Sequence, residues 1–172
     1  MTTSINKAAV RRLRTMIEAG LITFKEMQPW AASALAAMER PPNWLCDLTI
    51  RTYSPDVAAS LGEFLSSEPI DSFDCREAGD DHLASLYLRY ERGELSWAGF
   101  LNLAGRHADG SLGAWECEEF FERLNDLEDA EYSAAVEKEQ REDVCARLSA
   151  AIARIRPVYE QLRAGRRAAP ER

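Results

Sequence analysis

Apolar residues in this chain recur at the three- and four-residue steps of an α-helix, and residues that start or stop helices bracket each run. That pairing of period and punctuation restricts the chain to packed helices. Ser4 opens a first run of Ile5, Ala9, Leu13, Met16 and Ile17, which Gly20 closes in the left-handed conformation that glycine adopts most easily. Thr23 caps the next segment, and Glu26 three residues on completes a capping box. Pro29 restarts that segment as the first residue of a new turn, leading into Trp30, Ala34, Leu35 and Met38 before Pro41-Pro42 stops it. NWLCDL (43–48) reads as a short buried helix. Ser54-Pro55 opens another with Val57, Leu61, Phe64 and Leu65 inward.

Further along, Asp80 caps a run of Leu83, Leu86, Tyr87 and Tyr90, Gly93 ends it, and Ser96 opens Trp97, Phe100, Leu101 and Ala104. Cys117, Phe120, Phe121, Leu124 and Leu127 form one more stripe. Cys145, Leu148, Ile152, Ile155, Tyr159 and Leu162 form the longest, with Pro157 kinking or restarting it. LTIRTY (48–53) alternates and is β-branched, so a minor two-stranded ribbon with residues 70–75 is admitted. The expectation is an all-α fold, an irregular bundle of about seven helices. It forms one domain over 1–165, with a disordered basic tail at 166–172. A chain of 172 residues can build such a core without disulfide or metal staples.

Residues 18–27 and 91–100 share the frame E-x-G-x-[IL]-[ST]-[FW]-x-x-[MF]. A duplication would produce it, and so would the ordinary way in which tight helical hairpins are written.

Charge is distributed unevenly. Residues 116–143 hold twelve Asp/Glu against three Lys/Arg, whereas the whole chain carries a net charge of −8. Outside this stretch the protein is therefore close to neutral. Glu118, Glu122, Asp126 and Asp129 fall at helical spacing, and like charges four residues apart cost a helix about 0.2–0.5 kcal/mol per pair. Two readings stand: a solvated face that keeps the protein soluble, or a surface that mimics phosphates for a basic partner. Arg11, Arg12, Arg14 and the terminal arginines are too few to make the chain itself a nucleic-acid binder.

Catalytic signatures are missing. There is no G-x-S-x-G elbow, and the glycines of GRHADGSLG (105–113) lack the Lys-Ser/Thr of a phosphate loop. The four cysteines, separated by 29, 42 and 28 residues, match no zinc or redox spacing and read as free, buried thiols. His82 beside Asp80 and Asp81, and His107 near Asp109, could in principle serve a metal-dependent hydrolase, but they read more simply as surface imidazoles. Among the tryptophans, Trp30 and Trp97 sit on core stripes, and Trp44 is the one expected to be exposed. No cofactor is implied. The N-terminus reads as an amphipathic helix rather than a signal peptide, and a cytoplasmic location without membrane contact is expected.

LASLYLRYERGELSWAGFLNLAG, the aromatic-acidic FFERLNDLEDAEY and the opening REDVCARL of the last helix resemble the small all-helical immunity proteins of the colicin D type over roughly 83–155. GLITFKEMQPWAASALAAMERPPNWLCDL resembles uncharacterised bacterial proteins ascribed similar antitoxin roles. The resemblance implies a non-enzymatic protein that covers the basic active site of a toxic nuclease with carboxylates, here Glu118, Glu119, Glu122 and Asp126. This chain is considerably longer than such immunity proteins. An adaptor that docks through the Cys145–Leu162 stripe is the alternative.

Overall fold

A computed structural model describes residues 6–67, 74–110 and 114–168, with only the backbone of 167 and 168. All regular structure among them is helical, in the order α1 (Lys7–Glu18), α2 (Phe24–Ala36), α3 (Asn43–Ile50), α4 (Ser54–Leu65), α5 (Cys75–Glu91), α6 (Trp97–Asp109), α7 (Cys117–Asp129) and α8 (Ala134–Ala168). The all-α expectation is met. Where the sequence reads as one domain, the chain groups into two compact units, 1–73 with 156–172 and 74–155.

The first unit is built on α1, α2, α3 and α4. Val10, Leu13, Met16 and Ile17 of α1 are buried, as are Met27 and Ala31 of α2, Leu45 and Leu48 of α3, and Val57 and Leu61 of α4. Each large side chain so buried contributes about 1.5–3 kcal/mol. Asn6 caps α1, its Oδ1 accepting from the Ala9 N–H at 2.8 Å, while the expected cap Ser4 and its neighbour Ile5 lie outside the described residues. The Thr23–Glu26 capping box is present: the Glu26 carboxylate accepts from the Thr23 N–H at 2.8 Å and from its hydroxyl at 2.7 Å.

Arg166, on the last part of α8, pairs with the same carboxylate. Burial alone would push the Glu26 carboxyl up, but the Thr23 hydrogen bonds and Arg166 outweigh it and hold the group below the usual range. Lys7 closes the other end of this unit, donating to the carbonyls of Leu65 (3.2 Å) and Ser67, where α4 has ended.

Several local expectations are corrected here. Pro29 does not restart α2; the helix runs through it and forgoes one ladder bond. Ser54 is the first residue of α4, with Tyr53 in the capping position. Residues 48–50 end α3 rather than beginning a strand, because Trp44, Leu45 and Leu48 bury one helical face. No strand occurs among the described residues, and 70–73 of the proposed partner segment lie outside them. Trp44, expected at the surface, is buried against Phe64 with ring centroids 4.5 Å apart.

In the second unit the core is aromatic. Trp97 stacks on Phe100 at 4.8 Å, Phe100 meets Phe120 edge-on at 6.3 Å, and Trp115 stacks on Phe120 at 5.1 Å. This column fastens α6 to α7. Asp80 is not a cap: α5 begins five residues earlier, where the Asp74 carboxylate accepts from the Arg76 and Glu77 N–H groups. Buried Asp81 is held by Arg154 of α8 at 2.8 Å.

The two turns that share a sequence frame share a geometry. Gly20 and Gly93 have φ of 73° and 72°. Their N–H groups donate to Ile17 and Tyr90, and the next N–H in each donates five residues back, to Met16 and Arg89. Both are Schellman turns, followed by hydroxyl caps at Thr23 and Ser96.

α8 is a single helix through Pro157 and reaches three residues past the expected domain end; 169–172 lie outside the described residues. Leu148, Ile152, Ile155, Tyr159 and Leu162 of its long stripe are all buried. The four cysteines are free, but none is fully buried; Cys46 is exposed. No helix among the described residues is long and apolar enough to cross a membrane.

Candidate functional site

α7 starts where Glu116 donates its N–H to the Glu119 carboxylate at 3.3 Å, and acidic residues in its first turn suit the positive end of a helix. Its last turn carries more acid and no base, which opposes the helix dipole. On one side of α7, Glu119, Glu122, Arg123 and Asp126 follow the i, i+3, i+4, i+7 rule. Val136, Glu139, Gln140 and Asp143 repeat it on α8. These eight residues line one groove of about 480 Å³. Five carboxylates and a single guanidinium therefore face a common space.

The groove is pinned from beneath. Gln140, nearly buried, accepts from the Trp97 indole N–H at 2.9 Å and donates to the Arg123 carbonyl at 2.8 Å, tying α6, α7 and α8 together. Arg123 donates to Asp143 at 2.7 Å and to the Glu119 carbonyl at 2.9 Å. Arg147 binds Glu119 at 2.6 Å while its guanidinium lies 3.5 Å over the Trp115 ring. The hydrogen bond from Arg147 holds the Glu119 carboxyl below its usual range.

The four carboxylates singled out from the sequence thus part company. Glu122 and Asp126 open onto the groove and have no ion-pair partner among the described residues. Glu119 lines it but is neutralised by the chain's own arginines. Glu118 does not line it; its carboxylate faces the Cys117 thiol at 3.1 Å, which lowers the carboxyl's pKa and raises the thiol's. Glu139 and Asp143 were missed. The signal for them was available, since Val136, Glu139, Gln140 and Asp143 carry the α7 spacing.

His82 and His107 are not surface imidazoles. The rings stack face to face, centroids 3.7 Å apart and planes 4° from parallel. Burial, and secondly the charge of His107, push the His82 pKa down to about 3. Lone pairs of parallel rings lie in separate planes and do not converge on one ion. The neighbouring aspartates turn elsewhere: Asp81 to Arg154, and Asp80 to the Trp115 indole, with burial raising the Asp80 carboxyl. Among the described residues no group of three or more His, Cys, Asp or Glu side chains is placed to hold a metal ion.

Comparison with protein-family models, with curated proteins and with solved structures finds no match for this chain.

Proposed function

We propose that this protein is a non-catalytic binder that receives a cationic protein partner in the α7–α8 groove, in the manner of an immunity protein masking a basic toxin. The observation that carries this reading is the pair of matched helical rows. Glu122 and Asp126 face Glu139 across a space large enough for arginine or lysine side chains, and none of these three is matched by a cation among the described residues. Opposed charge steers association and fixes register, and a desolvated carboxylate–guanidinium pair at such a site is held by charge-assisted hydrogen bonds. Relative to the residues expected from sequence, the contact set moves off Glu118 and Glu119 and onto Glu122, Asp126 and Glu139.

The test is side-by-side affinity purification from the protein's own cells of the wild type and the Glu122→Gln, Asp126→Asn, Glu139→Gln variant. Titration of the recovered partner against both follows. The expected result is a basic protein retained by the wild type, with affinity that falls steeply with salt and is at least about tenfold weaker for the variant. Equal affinity of that partner for both proteins overturns the reading.

A further inference from the structure

His82 on α5 and His107 on α6 are in ring-to-ring contact. Several charged groups of the surrounding helices are committed to other partners, while one buried carboxylate oxygen of Asp80 accepts no hydrogen bond. On α5, Asp81 binds Arg154 and Asp80 faces Trp115. On α6, Asp109 lies 3.9 Å from the Cys117 thiol, and Arg106 is exposed. On α7, Glu118 accepts from Cys117, and on α8 Arg147 and Arg154 are held by Glu119 and Asp81. Among the described residues, burial first and the charge of His107 second are what disfavour an imidazolium at His82.

We propose that the stacked His82–His107 pair is an acid-sensitive clasp between α5 and α6, closed while the pair holds at most one proton and driven open when a second must be taken up. The geometry sets the order of protonation. His107 lies in the last turn of α6, where the helix dipole favours a cation, and its charge is one of the two causes that disfavour a proton on His82. A second charge on His82 would then sit in a half-buried site, its ring centroid 3.7 Å from that of a like-charged ring. Unfolded, both rings titrate near the ordinary value of about 6.5.

The folded pKa of His82 is depressed, so its contribution to stability is fully present above about pH 6.5 and is lost as pH falls toward about 3. One extra proton bound on opening raises the opening constant about tenfold for each pH unit inside that window. The clasp belongs to the fold and operates whatever the acidic groove binds.

Two measurements decide it. In urea titrations of wild type and His82→Phe at pH 7 and pH 5, the ratio of their unfolding constants should rise on the order of tenfold in favour of the variant at the lower pH. Carboxylate effects are common to both proteins and cancel in that ratio. An unchanged ratio overturns the proposal. Should the variant not fold, imidazole Cε1–H resonances of the wild type give the answer. The His82 ring should keep its neutral shift down to pH 4.5, about midway through the window. A His82 ring that titrates with an ordinary midpoint overturns it equally.

Discussion

Three helical turns in this protein close with the same pair of hydrogen bonds, and one of them lacks the residue that makes such a turn easy. After α1 and α5 the left-handed position is Gly20 or Gly93. After α7 it is Glu131, with φ of 51°, followed by Tyr132 with φ of 59°. The Glu131 N–H donates to Glu128 at 2.9 Å and the Tyr132 N–H to Leu127 at 2.8 Å, in the register found at the glycine turns. A side chain in this region costs roughly 1 kcal/mol or more per residue. The turn that accepts this cost joins the two helices lining the acidic groove. The same contrast appears among carboxylates. Glu26 and Asp81 are buried and each is matched by an arginine, whereas Glu122, Asp126 and Glu139 lie exposed with no ion-pair partner among the described residues. The two other Schellman turns carry glycine and the buried acids Glu26 and Asp81 are paired, whereas the α7–α8 turn carries side chains and three acids of the groove lack an ion-pair partner among the described residues.

Removing a matched acid should produce the largest effect. Glu26→Ala deletes the capping box and leaves Arg166 without its carboxylate, an expected loss of about 2–3 kcal/mol in urea unfolding at neutral pH. The Glu26 pKa is depressed in the folded state, so its contribution is present above the unfolded value and disappears as pH falls through the folded one. The wild type should therefore begin to converge on the variant as pH falls below the ordinary glutamate value of about 4.3. A loss under about 0.5 kcal/mol would mean that the burial of Glu26 is not compensated as described.

The helical reading of the sequence succeeded where the information was local. Thr23 with Glu26, and Ser96 with the Gly99 N–H, are decided within three residues of chain. It failed where a distant group decides. Trp44 is buried because Phe64 lies across it, and His82 meets His107 only once α5 and α6 fold back on one another. Asp80 and Asp74 are both adequate caps; the choice went to Asp74 because the residues between them continue the helix, buried Gly79 included. At the groove, the α7 half was legible from its acidic spacing. The α8 half was hidden because Glu139 and Asp143 lie among other charges, and only the facing helix shows which of them share a surface.

A smaller effect tests the turn itself. Glu131→Gly should stabilise the protein by about 0.5–1 kcal/mol, since glycine occupies this conformation without the Cβ penalty. The gain falls below the full penalty because glycine also frees the unfolded chain. Thermal unfolding at fixed pH reads it directly. If Glu131→Gly is neutral or destabilising, the α7–α8 turn is no more strained than those at Gly20 and Gly93, and that half of the contrast is gone.

The smallest expected effect is the most discriminating. Glu122→Gln, Asp126→Asn and Glu139→Gln together should leave stability unchanged or raise it by up to about 0.5 kcal/mol, because Glu122 and Asp126 repel at i, i+4 and Asp126 opposes the α7 dipole. The Arg123–Asp143 and Arg147–Glu119 pairs and the Gln140 bridge remain, so the groove keeps its shape. Any gain should shrink as salt is raised, since the repulsion removed is solvent-exposed and screened over about 10 Å at 0.1 M. A loss above about 1 kcal/mol would show that these acids support the fold after all, exceeding what exposed charges contribute. Neutral stability combined with lost partner affinity is the outcome that separates a working surface from a structural one, because only a surface kept for another molecule can be discharged without loosening its own.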